Sequence, residues 1–382
     1  MIRRKVLVVC MFDSIHAVRW LSQFTNQDID FTLFPSKKFK KIHPKLITLL
    51  SSNVGATYSI VHPLKINKIL GYLDFFFFVQ LPKIFRKNLR AHYLRTILTK
   101  ANLNYVHALE IQGAGYLCDE AIAKKNFKFI LTNWGSDIFY FQHLPEHLPR
   151  IKSALANADL YSAECQRDYK LAEKLGFKGL HLPCIPNGGG LVAAQPLDIG
   201  IPTSLRKNIV VKTYGGTFGR GGLAIEAVSK AMRENQSLTA YFYSVTDDLL
   251  SQVLAMKRIF KTRINYSVLE KPISQEELNE IFSLSRVYIG CSISDGISTS
   301  FLEAISKGVY AIQTNTSCAG EWIAKGAVAS LVPLDLSSIQ EELERAIGDD
   351  DLVDKASESN LRVTREYLGF ENISNQAKVF YE

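Results

Sequence analysis

The sequence predicts an α/β protein of two domains, each built on a parallel sheet covered by helices. Three observations carry this. Short runs of β-branched and aromatic residues alternate with helical stretches along the chain. A Pro/Gly-rich passage, Pro183-Cys-Ile-Pro-Asn-Gly-Gly-Gly-Leu191 through Pro202, breaks the alternation near the middle. The 382 residues, 47% of them hydrophobic, are enough for two packed cores.

The elements follow in order. Residues 6–11 form an apolar first strand. With the basic start Met1-Ile-Arg-Arg-Lys5 this run imitates a secretion signal, but Asp13, His16 and Arg19 arrive too soon for one. Residues 15–24 read as a helix, 31–34 as the second strand and 56–61 as the third. Strands at 105–108, 127–132 and 160–163 follow, separated by helical stretches such as 117–123. After the break, a second series opens with a strand at 209–213 and a helix at 224–232, and it ends near Ile347. Within it, 287–293 reads as a buried strand and 301–306 as the first turns of a helix that Gly308 can end. Residues 308–315 form another strand, and the tail from Asn360 to Tyr381 reads as helix. No internal repeat appears.

Charge is uneven. Residues 1–100 carry 17 Lys+Arg against 4 Asp+Glu, whereas the whole chain has a net charge of +8. The density peaks in Ser36-Lys-Lys-Phe-Lys-Lys-Ile-His-Pro-Lys45 and Lys83-Ile-Phe-Arg-Lys-Asn-Leu-Arg90, with the aromatic run Tyr72-Leu-Asp-Phe-Phe-Phe-Phe-Val79 between them. Basic residues interleaved with apolar ones suit an anionic membrane surface, so residues 36–90 are a candidate contact with one. The plainer reading of Phe75–Phe78 alone is a buried element. Nucleic acid would accept a basic surface too, but it is not the expected partner. No uninterrupted apolar run reaches eighteen residues, so no spanning helix is expected. The six cysteines show no CxxC pair or zinc-like spacing, which points to reduced thiols in a cytoplasmic protein.

The most informative stretch is Asp295-Gly-Ile-Ser-Thr-Ser-Phe-Leu-Glu303. Strand, small-residue loop, then helix is the layout that aims backbone N–H groups at a phosphate. Carboxylates flanking such a loop repel phosphate unless they bind something else, such as sugar hydroxyls. Taken alone, the segment is also a plain N-capped helix, with Ser298, Thr299 or Ser300 as cap and Glu303 as capping-box partner. A second Gly-rich loop, Tyr214-Gly-Gly-Thr-Phe-Gly-Arg-Gly-Gly-Leu223, follows the strand at 209–213. Its glycines, Gly216 and Gly221 among them, allow close backbone approach to a phosphate, and Arg220 adds a cation; a flexible turn is the plainer alternative.

Three loops in the first half stand at strand ends, where open α/β sheets bind ligands. Met11-Phe-Asp-Ser-Ile-His16 brings His16 to a helix start. His107-Ala-Leu-Glu-Ile-Gln-Gly-Ala-Gly115 brings Glu110 and Gln112, which can bind hydroxyls. Thr132-Asn-Trp-Gly-Ser-Asp137 brings Trp134, a surface for stacking on a sugar, and Asp137. Asp28-Ile-Asp30 has the spacing of a metal-binding acid pair, but it comes after only one strand and helix and reads as a turn.

These motifs resemble those of family 4 glycosyltransferases, retaining sugar transferases of the GT-B fold. Their signature of an acid, seven residues, then Glu, Ala and a helix-ending Gly is matched by Asp295, Glu303, Ala304 and Gly308. The first acid is usually Glu, so Asp295 shortens the reach. Thr132-Asn-Trp-Gly-Ser-Asp137 resembles the family's Thr-x-His-Gly-x-Asp, with Trp134 where His is common. Arg220 matches the second of a basic pair; the first has no clear counterpart, and Lys212 is the nearest cation. The likeness covers roughly 205–345 by motif and the rest by strand-helix order.

The resemblance implies two Rossmann-like domains facing across a cleft: 1–185 for the acceptor, a linker at 186–206, 207–358 for the donor, and a tail at 359–382 returning to the first domain. It implies a nucleotide sugar with its diphosphate held by Arg220 and by N–H groups around Ser298 and Thr299. Asp295 would then hold donor-sugar hydroxyls and Glu303 the ribose, with no metal or other cofactor. A saccharide or lipid-linked saccharide would accept the sugar with retention near His16, Glu110, Trp134 and Asp137. The setting it implies is bacterial surface polysaccharide synthesis, in the cytoplasm or on the inner face of the membrane. A GT-B epimerase or phosphorylase, or a non-catalytic nucleotide- or membrane-binding protein, are the alternatives.

Overall fold

A computed structural model describes residues 3–39, 41–51, 55–61, 83–191 and 201–382. The aromatic run Tyr72–Val79 and residues 192–200 of the expected linker lie outside them. The chain divides into two compact units: Met1–Gly190 with Ile373–Glu382, and Leu191–Asn372. The helix Asp350–Leu368, within the stretch read from sequence as series end and tail, belongs to the second unit.

The first unit holds a seven-stranded sheet in the order β3-β2-β1-β4-β5-β6-β7, with every pair parallel. The strands are β1 (Arg4–Cys10), β2 (Ile29–Pro35), β3 (Thr57–Ile60), β4 (Tyr105–Leu109), β5 (Lys128–Thr132), β6 (Leu160–Ser162) and β7 (Leu180–His181). β1 is a continuous apolar run because both of its faces are buried. Leu7 and Val9 join one core cluster, while Val6, Val8 and Cys10 join the other. The sequence reading missed β7, a two-residue exposed edge too short to carry a pattern. Asp30 lies inside β2 rather than in a turn; Arg3 bridges its carboxylate at 3.2 Å, and Thr57 donates to it at 2.7 Å.

The second core cluster is completed by the chain's last residues. Ile373, Ala377, Phe380 and Tyr381 pack among Trp20, Phe24 and Phe31. The Tyr381 hydroxyl lies 2.7 Å from Nδ1 of the fully buried His107, whose Nε2 lies 2.6 Å from Thr132 Oγ1. Burial pushes the His107 imidazole down to about 3, so the ring is neutral. Arg4 donates to the carbonyls of Tyr381 and Glu382.

The second unit holds six parallel strands in the order β10-β9-β8-β11-β12-β13. They are β8 (Asn208–Lys212), β9 (Thr239–Val245), β10 (Ile264–Val268), β11 (Ser285–Gly290), β12 (Tyr310–Thr314) and β13 (Ala329–Val332). Ile209, Val211, Phe242, Ile289 and Ile312 form the core under helices Gly221–Glu234, Asp247–Phe260 and Leu336–Gly348. Gly308 ends the Thr299–Ile305 region as the sequence reading expects: its φ is +70°, and a Cβ there would lie 2.2 Å from Ser357 Oγ. In both sheets the order of connection reverses beside the first strand, at β1/β4 and at β8/β11. Crevices at such switch points, beyond the carboxyl ends of the strands, are where open α/β sheets bind ligands.

Candidate functional site

At the β8/β11 switch the Gly-rich loop is a built structure, not a flexible turn. Arg220 N–H donates to the Cys291 carbonyl at 3.0 Å, and Ile293 N–H donates to the Phe218 carbonyl at 2.9 Å. Gly219 and Ser292 thus form an antiparallel bridge, joining the loop after β8 to the chain leaving β11. Gly216 has a φ of +66°. Its N–H and the Thr246 hydroxyl both reach the Asp248 carboxylate, which occupies the space a side chain at Gly215 would need. The loop therefore requires glycine at 215 and 216.

The Arg220 guanidinium is held within this loop. Its Nη1 donates to the carbonyls of Gly216, Thr217 and Gly219 at 3.3, 3.4 and 2.6 Å. The cation is therefore fixed at the loop before any ligand arrives. Gly221 opens the Gly221–Glu234 helix directly after it, buried against Thr213. Lys212 Nζ sits 4.8 Å from the Tyr214 ring centre. Burial raises the Tyr214 hydroxyl, Lys212 lowers it and Asp295 raises it, so all three share one electrostatic neighbourhood.

The acid-bearing loop is anchored at both ends. Asp295 Oδ1 accepts from Gly296 N–H at 2.9 Å, and the Gly296 carbonyl accepts from Cys318 N–H at 2.8 Å. Ser298 caps the Thr299–Ile305 helix, accepting from Phe301 N–H at 3.4 Å. Glu303 is not a capping-box partner, because the third helical position belongs to Phe301. Its carboxylate is 5% exposed as a residue and accepts from Gln275 Nε2 at 3.1 Å, a side chain of the helix Gln275–Ser283. A capping box does occur nearby, at Ser274 and Glu277, where it starts that helix.

In the first unit, loops after β1, β4 and β5 meet. The His16 and Trp134 rings lie edge to face with centroids 5.5 Å apart. Glu110 and Asp137 point inward instead of outward. Glu110, at φ +87°, accepts from Gly113 and Ala114 N–H groups, both at 2.7 Å. Asp137 accepts from Trp134 N–H at 2.8 Å and Ile111 N–H at 3.0 Å. These carboxylates set the shape of the loops that present His16 and Trp134. Sequence reasoning missed the layer beneath: Asn133 donates to Asp168 at 2.7 Å, and Asn187 donates to the Asn133 carbonyl at 3.0 Å. The only signal for it was polar residues directly after apolar strands.

Burial pushes the Asp137 carboxyl up to about 8, outweighing its two N–H donors, with Glu110 and Asp168 adding like charge. Burial also raises Glu110 and Asp168. Between the ordinary carboxylate range and pH 8 the folded chain keeps protons that the unfolded chain has released, so stability falls as pH rises through that window. Melting temperature is expected to be higher at pH 5 than at pH 8.5, with each kcal/mol worth about 2–4 °C in a unit of this size. Asp137→Asn should flatten the slope; an unchanged slope would place the linkage elsewhere.

Residues 5–164 match the family described as "Glycosyl transferase 4-like". No curated protein matches the chain by sequence. Among solved structures, Anabaena Alr3699/HepE in complex with UDP-glucose is similar at a TM-score of 0.69 and 12% identity, over 98% of each chain. Sucrose-phosphate synthase from Thermosynechococcus elongatus is similar at 0.67 and 13%, over 99% of this chain and 98% of that one. Trehalose-6-phosphate synthase from Burkholderia multivorans is similar at 0.66 and 10%, over 100% and 99%. At identities this low, the likeness shows the shared fold alone.

Proposed function

We propose that the chain, which shares the GT-B fold of these structures and matches the glycosyl transferase 4-like model over residues 5–164, is a glycosyltransferase that moves a sugar from a nucleotide-sugar donor to a saccharide or lipid-linked saccharide, with retention of anomeric configuration. The observation that carries the proposal is the bridge between Gly219 and Ser292, which ties the Arg220 loop to the segment leading into Asp295. The donor diphosphate lies against Arg220 and the N–H groups around Ser298 and Thr299. Asp295 holds hydroxyls of the donor sugar, and Glu303 shares its carboxylate between Gln275 and the ribose. As the anomeric C–O bond breaks, charge builds on the diphosphate, where a fixed guanidinium and N–H groups stabilise it without reorganising. The acceptor hydroxyl forms the new bond, and its proton passes to a donor phosphate oxygen. No metal is assigned a part. That HepE was crystallised with UDP-glucose supports a nucleotide-sugar donor.

On the acceptor side, His16 and Trp134 form the contact surface, and Glu110 and Asp137 hold it in shape. The proposed setting is surface polysaccharide synthesis, with the basic stretch 36–90 resting on an anionic membrane. No helix among the described residues is long and apolar enough to cross one. Incubation with UDP-, GDP- and CMP-sugars is expected to release nucleotide from one donor class. NMR of the product should show the donor's anomeric configuration; an inverted product would overturn retention, and no turnover of any donor would overturn the site.

A further inference from the structure

We propose that a cavity in the first unit, beside the acceptor loops, is a subsite for an anionic group on the acceptor: a phosphate or a carboxylate attached to sugar. This deepens the reading above and rests on it for the word acceptor. The cavity measures about 620 Å³ and is lined by Asp13, Lys38, Phe39 and Lys41. It lies between the loops that follow β1 and β2.

Its walls are held in place. Ser36 N–H donates to the Cys10 carbonyl and His43 N–H to the Phe12 carbonyl, both at 2.8 Å. These bonds clamp the lysine-bearing loop to the end of β1. The Phe39 ring packs on the buried Phe12 ring with centroids 5.2 Å apart, so it forms a fixed apolar wall for the C–H face of a sugar. Lys37 pairs with Asp13 at 3.7 Å. Lys37 also pulls the Glu110 carboxyl down against burial, which sets this loop beside the loop after β4.

Charge decides the ligand class. With Asp13 answered by Lys37, Lys38 and Lys41 remain on the wall, and no carboxylate among the described residues pairs with either. Two ammonium groups on exposed, flexible stems meet an anion of either shape, where arginine would favour bidentate geometry. A neutral sugar gains only hydrogen bonds from them, without the ionic attraction. The surrounding sequence points the same way, since residues 1–100 hold 17 Lys+Arg against 4 Asp+Glu.

The test uses the full chain and three soluble probes: glucose 6-phosphate, glucuronate and glucose, without donor. Calorimetric titration should show binding of at least one anionic sugar and none of glucose, weakened by salt. Lys38→Ala and Lys41→Ala should each weaken that binding about three- to tenfold, and the double variant more. Both side chains are exposed, so the variants are expected to fold as the parent does. Equal binding by parent and double variant, or no binding of either anionic sugar, would overturn the subsite. A further arm uses phosphatidylglycerol vesicles. Loss of vesicle retention in the double variant, with no anionic sugar bound by the parent, would reassign the lysines to a lipid surface. If an anionic sugar binds through both lysines while no nucleotide sugar is turned over, the subsite stands and the transferase assignment of the site fails.

Discussion

Glu303→Gln is expected to raise the donor KM about 10- to 100-fold, the cost of turning charge-assisted hydrogen bonds into neutral ones. Glu303 is buried and already accepts from Gln275, so the amide fits the same space and the change reads the carboxylate rather than the fold. Contact with a ribose, remote from the breaking bond, predicts a larger effect on KM than on kcat. Arg220→Ala should behave the other way. It removes a cation held at the loop by three carbonyls, and loss of such a fixed group costs on the order of 10²–10³ in kcat. Steady-state kinetics of the two variants on the active donor separate the roles. If both leave kcat and KM unchanged, the donor does not bind at this loop pair.

Removal of Phe380, Tyr381 and Glu382 is expected to cost the first unit more than any single substitution. Truncating a large buried aromatic costs roughly 3–5 kcal/mol, and two of these three residues are such aromatics. The deletion also leaves His107 Nδ1 without the Tyr381 hydroxyl and Arg4 without two carbonyls. Against a typical total stability of about 5–15 kcal/mol, this should abolish cooperative unfolding of the first unit near room temperature. Tyr381→Phe is the milder control, about 1–3 kcal/mol for each buried nitrogen that loses the hydroxyl, His107 Nδ1 and Trp20 Nε1. Hydrogen exchange of β1 and β4 amides reads both variants. Unaltered protection in the truncated chain would mean that the aromatic cluster closes without its last members.

Much of this was legible in advance, for a local reason. A strand buried on both faces writes itself as an apolar run, so β1, β5 and β8 fell within a residue or two of their observed ends, while the run read at 287–293 overshot the end of β11 by three residues. The Gly-rich loop and the Asp295–Glu303 segment were legible because loop chemistry near a helix start depends on neighbours in sequence. What escaped is set by partners far along the chain. Glu110 turns back onto its own neighbours, Gly113 and Ala114, but nothing near Asp137 tells whether its carboxylate faces a ligand or turns back onto backbone N–H groups. For Asp137 those groups belong to Ile111, 26 residues away, and to Trp134. Asn133 and Asp168 meet across 35 residues. Ser298 was one of three candidate caps until helix geometry selected it, and the same geometry removed Glu303 from the capping box.

The place of the last ten residues in the first core has a consequence for synthesis. A ribosome making about 5–20 residues per second releases the strands of the first unit well before Ile373 emerges. For on the order of ten seconds or more, the nascent chain carries Trp20, Phe24, Phe31 and His107 without residues 373–382 to cover them. That half-built surface is suited to chaperone capture. A chain that stops anywhere in the second unit lacks the residues that cover this cluster, so the first core depends on synthesis having passed through the second unit.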